Sequence, residues 1–194
     1  MVTTDEIKEL REKTGVSVMQ CKKALEEAKG DVEKAVLLLR KVSKEIASKK
    51  QGRALGAGVV ASYIHGDGRI GVLLELSCET DFVSRNSEFR ELANDISMHV
   101  AAMSPQFLRE EDITDVDRKK VEEVFLEEVE KTGKPHDIKK KILEGKLDAY
   151  FKEKTLLTQP FIKEPEITIR ELIERAIQKT GERIEVSRFA RFSL

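Results

Sequence analysis

One segment constrains this chain more than any other: the apolar run Ile70-Gly71-Val72-Leu73-Leu74-Glu75-Leu76-Ser77, leading into Cys78-Glu79-Thr80-Asp81-Phe82-Val83-Ser84-Arg85-Asn86. The run is short, rich in branched residues and preceded by the turn-forming Gly66-Asp67-Gly68, so it reads as a strand. From about Asn86 the apolar spacing changes to that of a helix. An acid and a large aromatic ring therefore sit side by side in a strand-to-helix connection. Such a connection hides a Phe poorly and presents one to a partner well.

The strand fixes its own surroundings. Ile70, Val72, Leu74, Leu76 and Cys78 point one way, and Gly71, Leu73, Glu75 and Ser77 the other, because side chains alternate across a sheet. Residues 59–65 supply the second arm of a hairpin. The following helix places Phe89, Leu92, Ala93, Ile96, Val100 and Met103 on one stripe, which covers the core face of the sheet before Pro105 closes the region. The opposite face is left mostly open.

Upstream, about the first 47 residues read as three short helices. Thr3-Thr4-Asp5-Glu6 has capping-box spacing, with Ile7 and Leu10 inside and Gly15 as the stop. Ser17-Val18-Met19-Gln20 repeats the box, with Val16 and Cys21 spaced as a hydrophobic staple, and Gly30 ends this helix. Asp31 caps a third, with Val32, Ala35, Val36, Leu39, Val42 and Ile46 at helical spacing. The core of such a bundle is thin, so it leans on another surface or offers a face for binding. Residues 43–58 carry Lys44, Lys49, Lys50, Arg53, Gly52, Gly56 and Gly58. They read as a solvated linker, and they lack the residue order of a phosphate-binding loop.

Downstream, residues 115–131 form a charged helix with Val121, Val124, Phe125 and Val129 inside. Two short helices follow, at about 137–144 and 146–157. Gln159-Pro160-Phe161 and Pro165 mark an extended connection. Thr168-Ile169-Arg170-Glu171 is a third capping box, opening a helix with Leu172, Ile173, Ala176 and Ile177 inside and Gly181 at its end. Residues 183–192 read as a last strand that joins the hairpin. The expected fold class is α+β: an N-terminal three-helix bundle, then a small three-stranded antiparallel sheet packed with helices. The expected boundaries are a helical domain over 1–50 and an α+β core over 51–194. A sheet this small, with an open face and two edges, invites pairing with another copy.

Charge narrows the function classes. There are 35 basic and 36 acidic side chains, for a net charge of -1, which supplies no bulk attraction to nucleic acid or to an anionic membrane surface. No apolar run reaches the roughly 20 residues of a membrane span, and Met1-Val2-Thr3-Thr4-Asp5-Glu6 lacks the apolar centre of a signal peptide. These features lead to the expectation of a cytoplasmic protein. Cys21 and Cys78 fall inside regular structure and read as reduced, buried small hydrophobes. They lack metal-ligand spacing, and His65, His99 and His136 are scattered. Neither a metal, a cofactor nor an enzyme is expected.

Several ordered motifs together resemble one family. Gly15-Val16-Ser17-Val18-Met19-Gln20-Cys21-Lys22-Lys23-Ala24-Leu25 is similar to the N-terminal signature of bacterial elongation factor Ts, and so is Cys78-Glu79-Thr80-Asp81-Phe82-Val83. His99-Val100-Ala101-Ala102, Gly145-Lys146-Leu147, Gln159-Pro160-Phe161 and Arg188-Phe189-Ala190-Arg191-Phe192 follow in the family's order. The resemblance spans nearly the whole chain. It implies a guanine-nucleotide exchange factor for elongation factor Tu, with a UBA-like N-terminal module that docks on the GTPase domain. It also implies that Thr80, Asp81, Phe82 and Val83 press toward the GTPase's magnesium site, so that the metal is dislocated and GDP leaves. Met19 and Gln20 are possible GTPase-domain contacts. Longer members have two related sheet subdomains and a coiled-coil insertion, whereas this sequence offers one hairpin. Short members compensate by forming homodimers, which implies a homodimer here and a 2:2 complex.

Physical bookkeeping limits what Phe82 does alone. Each tenfold weakening of GDP needs roughly 1.4 kcal/mol of differential binding, and burying one Phe contributes about 1.5–3 kcal/mol. The ring therefore accounts for at most around two decades of exchange, and other surfaces supply the rest. Asp81 reads either as a plain helix cap or as a polar partner that reorganises nearby donors. Thr80 and Val83 set the geometry of the turn. Two other functions fit the residues: a UBA-like adaptor that binds through residues 1–50 alone, and an RNA-binding accessory of translation that uses the cations of residues 44–53.

Overall fold

The computed structural model describes residues 2–194, so Met1 of the acidic N-terminal stretch lies outside it. Helices α1 (Thr4–Thr14), α2 (Val18–Glu27) and α3 (Val32–Lys50) come first. Thr3 and Glu6 form the expected reciprocal cap, and Gly15 ends α1 at φ 67°, a left-handed conformation that glycine adopts without Cβ strain. At α2 the box is only half made. The Ser17 hydroxyl accepts the Gln20 N–H but donates its own proton to Gln20 Oε1 at 3.1 Å, so that oxygen does not return to the backbone. Leu10, Val16, Cys21, Ala24, Leu25, Ala28, Ala35 and Leu39 form a separate small core.

Residues 43–50 are helix, not linker. Helix α3 continues through them because Ser43, Ile46 and Ala47 recur at helical spacing on its inner side. Ser43 is buried, and its hydroxyl bonds both the Leu39 carbonyl and Gln178. Ile46 and Ala47 pack against the second core, and the Lys50 ammonium reaches the carbonyl of Gly181. The lysines that suggested a solvated segment lie on a helix that belongs to both cores.

Strands β1 (Ala57–His65) and β2 (Ile70–Cys78) pair antiparallel, with Ala61 opposite Leu74 and His65 opposite Ile70. Then come a one-turn helix α4 (Asp81–Ser84) and the long α5 (Ser87–Met103). Helix α5 buries Phe89, Leu92, Ala93, Ile96 and Val100 against the sheet, as the stripe predicts. Met103 is the exception: the helix ends at Ser104, leaving Met103 partly exposed.

Helices α6 (Asp115–Glu130) and α7 (His136–Lys154) form an antiparallel pair. Where two short helices were expected, α7 runs unbroken through Gly145, whose interior cost is about 1 kcal/mol relative to Ala. Contacts on its C-terminal side offset that cost. Phe125 meets Tyr150 edge-on at 5.9 Å, Tyr150 meets Phe151 at 5.3 Å, and Arg118 lies 5.3 Å over the Phe151 ring. Val129 is buried here, but Val124, expected inside, faces solvent.

The extended connection is a small hairpin of β3 (Pro160–Phe161) and β4 (Glu164–Thr168). The Thr168–Glu171 capping box opens α8 (Ile169–Thr180), which buries Ile169, Ile173 and Ile177, leaves Leu172 and Ala176 half-buried, and ends at Gly181 with φ 76°. Strand β5 (Ile184–Ser193) then pairs antiparallel with β2, giving the order β1-β2-β5 with a register shift at Glu75/Leu76. The α+β fold class and the three-stranded antiparallel sheet are as the sequence predicts. The sheet face away from α5 carries Val60, Ile64, Leu73 and Phe192, which are 69%, 63%, 50% and 68% exposed. Cys21 and Cys78 are free and buried, and burial pushes both thiols above their usual range.

A buried histidine ties α5 to β3. The Ile162 N–H donates to His99 Nδ1 at 3.3 Å, so the ring proton sits on Nε2 and donates to Gln159 Oε1 at 2.9 Å. Gln159 Nε2 in turn donates to the Glu153 carbonyl at 2.6 Å. Burial holds His99 below its ordinary pKa of 6.5, a direction the Gln159 bond only partly opposes. The unfolded chain therefore binds a proton that the folded chain does not, so stability is full above pH 6.5 and is lost as pH falls below it. Thermal unfolding followed from pH 7.5 to pH 5 is expected to show a declining melting temperature, with a shallower decline in His99→Gln. An equal decline in that variant rules His99 out as the source.

Candidate functional site

The site grows out of the end of β2. Cys78 completes the strand, and its thiol donates to the Thr80 carbonyl at 3.2 Å. Thr80 is extended (φ -129°, ψ 159°) and its side chain does not cap the helical turn it precedes. It turns instead to Glu182: the Thr80 N–H donates to Glu182 Oε2 at 3.0 Å and the Thr80 hydroxyl to Oε1 at 2.5 Å. One residue earlier, the Glu79 carboxylate accepts the backbone N–H of Arg183 at 2.6 Å and the Arg53 guanidinium at 3.2 and 3.3 Å. The Arg183 N–H, seconded by Arg53, holds the Glu79 carboxyl below its ordinary range. Two adjacent carboxylates thus tie the exit of β2 to the entry of β5.

The turn itself sorts its side chains. Successive helical residues are rotated by about 100°, so neighbours face in different directions. Val83 is buried in the main core, and the buried Ser84 hydroxyl donates to the Asp81 carbonyl at 3.1 Å. Phe82 points outward and is 89% exposed, the most exposed of the aromatic rings. Asp81 is the first residue of α4 and not its cap; its carboxylate pairs with Arg85 at 2.9 Å on the surface. The sequence places the aromatic residue in a simple connection leading to a helix near Asn86. The structure places it on a separate helical turn, with Val83 as anchor.

Met19 is exposed beside Val18 in the first turn of α2, and Gln20 next to it is half-buried. Among the described residues, neither is bonded to residues 80–83. The segment leading into α2 and the segment following Phe82 nonetheless line one cleft, of 310 Å³, which includes Thr14 and Gly15 on one side and Asn86 and Phe89 on the other. Among the described residues no three His, Cys, Asp or Glu side chains converge as metal ligands, and no helix is long and apolar enough to cross a membrane. Glu182 is the participant that sequence reasoning misses. Its only signal is register: Cys78 faces Ile184, so an antiparallel continuation brings Thr80 to Glu182.

Known proteins share this arrangement of sequence over its full length. The family model described as Elongation factor TS matches residues 3–194. The chain is 48% identical over 194 residues to elongation factor Ts of Carboxydothermus hydrogenoformans, covering 100% of this chain and 89% of that protein. It is also 48% identical to elongation factor Ts of Thermosipho melanesiensis, with 100% and 99% coverage. A match to the family model from the third residue to the last, with relatives of nearly equal length, decides the assignment: the chain belongs to the elongation factor Ts family.

Proposed function

We propose that the chain promotes GDP release from elongation factor Tu during translation elongation, with Phe82 as the wedge that disturbs the GTPase's magnesium site. The observation that carries this reading is the Phe82 ring, 89% exposed on a turn whose next residue is locked into the core. A large apolar ring held in water by a rigid base is poised for burial elsewhere. GDP on such a GTPase is held by backbone donors, a lysine and Mg²⁺. An exchange factor works by binding the empty form better than the GDP form, and the coupling is reciprocal. Asp81, exposed and held only by a surface pair with Arg85, is free to change partners. Thr80 and Val83 fix the turn, one through Glu182 and the other through the core. No covalent step is required, so the role is that of a regulator and not of an enzyme.

The remaining binding energy comes from other surfaces. Met19 and Gln20 at the start of α2 are the proposed GTPase-domain contacts, carried by a UBA-like three-helix domain over residues 1–50, with residues 51–194 as the α+β core. The open face of the sheet, apolar at Val60, Ile64, Leu73 and Phe192 and crossed by the Glu75–Arg188 ion pair, supports a homodimer and a 2:2 complex with elongation factor Tu. This activity belongs in the bacterial cytoplasm and needs neither membrane nor nucleic acid.

The test is release of a fluorescent GDP analogue from purified elongation factor Tu. Catalytic amounts of the chain are expected to accelerate release, and no acceleration at micromolar concentration rejects the reading. Glu182→Ala is expected to slow exchange about five- to tenfold by freeing Thr80 from two charge-assisted hydrogen bonds. Faster hydrogen exchange at the Thr80 amide is the matching structural readout. An unchanged rate beside a fast-exchanging amide means that holding the turn rigid is irrelevant.

A further inference from the structure

A second concave surface lies away from Phe82. Helix α3, the last turn of α7 and the start of α8 enclose a groove of 450 Å³ whose lining includes Arg40, Lys41, Lys44, Lys152 and Arg170. Five cations on one concavity stand out in a chain of net charge -1. On the same elements Lys34 pairs with Asp31, Lys154 with Glu153, Arg175 with Glu164 and Lys179 with Glu88, while Lys49, Lys140 and Lys141, outside the groove, form no ion pair among the described residues. Among the described residues, none of the five groove cations makes an ion pair or a side-chain hydrogen bond. Arg40 goes further, because its Nε is buried with no acceptor. A buried donor without a partner is costly, so a turn of the Arg40 side chain toward an acceptor in the groove relieves it.

Two carboxylates share the groove and do not fill that need. Glu171 is committed to the α8 cap, accepting the Thr168 N–H at 2.8 Å and the Thr168 hydroxyl at 3.1 Å. Glu174 is half-buried, lies near enough to Arg170 and Lys44 for their charges to act on its carboxyl, and forms no hydrogen bond among the described residues. We infer that this groove binds an oligophosphate anion, either a free phosphate chain or the phosphate end of a nucleotide. Two guanidinium groups suit phosphate because they offer planar paired donors, and three ammonium groups add unoriented charge. The groove is bordered by three elements and stands open to solvent. It opens, past Leu157 and Thr158, into a wider cleft of 740 Å³ that shares Lys44 and Arg170 and leaves room for a nucleoside. The site is independent of the exchange reading and uses none of its residues.

The test is calorimetric titration of the full chain with inorganic tripolyphosphate, repeated with a nucleoside triphosphate, with the bare nucleoside and with a short single-stranded RNA. Saturable one-to-one binding of tripolyphosphate is expected. Arg40→Met and Arg170→Met are each expected to weaken it about tenfold, the cost of losing charge-assisted bonds, while the far-ultraviolet spectrum is unchanged. Glu174→Gln is expected to tighten it severalfold by removing a repelling carboxylate, and Lys34→Met, outside the groove, to leave it alone. Tighter binding of the triphosphate than of tripolyphosphate assigns the wider cleft to the nucleoside; equal binding assigns the site to a free phosphate chain. Absence of saturation at millimolar tripolyphosphate, indifference to both arginine variants, or tighter binding of RNA than of either phosphate ligand overturns the proposal.

Discussion

Phe82→Ala is expected to slow GDP release from elongation factor Tu by about ten- to hundredfold, the range set by burying one aromatic side chain at 1.4 kcal/mol per decade. The melting temperature is expected to stay put. A ring that is 89% exposed contributes nothing to its own core, and surface substitutions of this kind stay within about 0.5 kcal/mol. The neighbouring residue gives the opposite pattern. Val83 is buried in the main cluster, so Val83→Ala is expected to cost about 1–3 kcal/mol of stability. It impairs exchange only by loosening the turn. Asp81→Asn separates the two readings of that residue. Its exposed pair with Arg85 is worth little to the fold, so any slowing reports a contact in the complex. If Phe82→Ala exchanges GDP at the full rate, the wedge is wrong, whatever else the chain does.

Leu73→Glu is expected to dissociate the proposed homodimer. Leu73 stands at the middle of the central strand, on the face opposite α5, opposite Ser62 of β1 and Ala190 of β5. Covering that face with a second copy buries it. In a two-fold interface one substitution acts twice, and an unpaired carboxylate driven into an apolar contact costs several kcal/mol. The dimer dissociation constant is therefore expected to rise by at least a hundredfold, at about 1.4 kcal/mol per decade. Light scattering across a concentration series measures it. Folding is expected to survive, because Leu73 points away from the core that holds Leu74 and Leu76. A wild-type chain that is monomeric at high micromolar concentration removes the homodimer, and with it the 2:2 complex.

Local chemistry made much of this fold legible. The caps at Thr3 and Thr168, the hairpin through residues 66–68, and the α5 stripe from Phe89 to Val100 each involve residues a few positions apart. So does the outward Phe82, since it needs only a strand end and an inward neighbour. What escaped was set by distant partners. Gly145 reads as a break until Phe125 and Arg118 are brought against Tyr150 and Phe151 from another helix. Residues 43–50 read as a soluble connector until Gln178 and Gly181 arrive to receive Ser43 and Lys50. Glu182 leaves no local signal because its partner, Thr80, is 102 positions away.

The uninterrupted course of α3 has a mechanical consequence. At 19 residues it is a rod about 28 Å long, rooted at one end among Leu10 and Leu25 and at the other against α8. Lys50 grips the carbonyl of Gly181, and the very next residue, Glu182, holds Thr80. If the proposed contact of the N-terminal helices with another molecule forms, α3 offers a continuous helical path from it toward the base of the Phe82 turn.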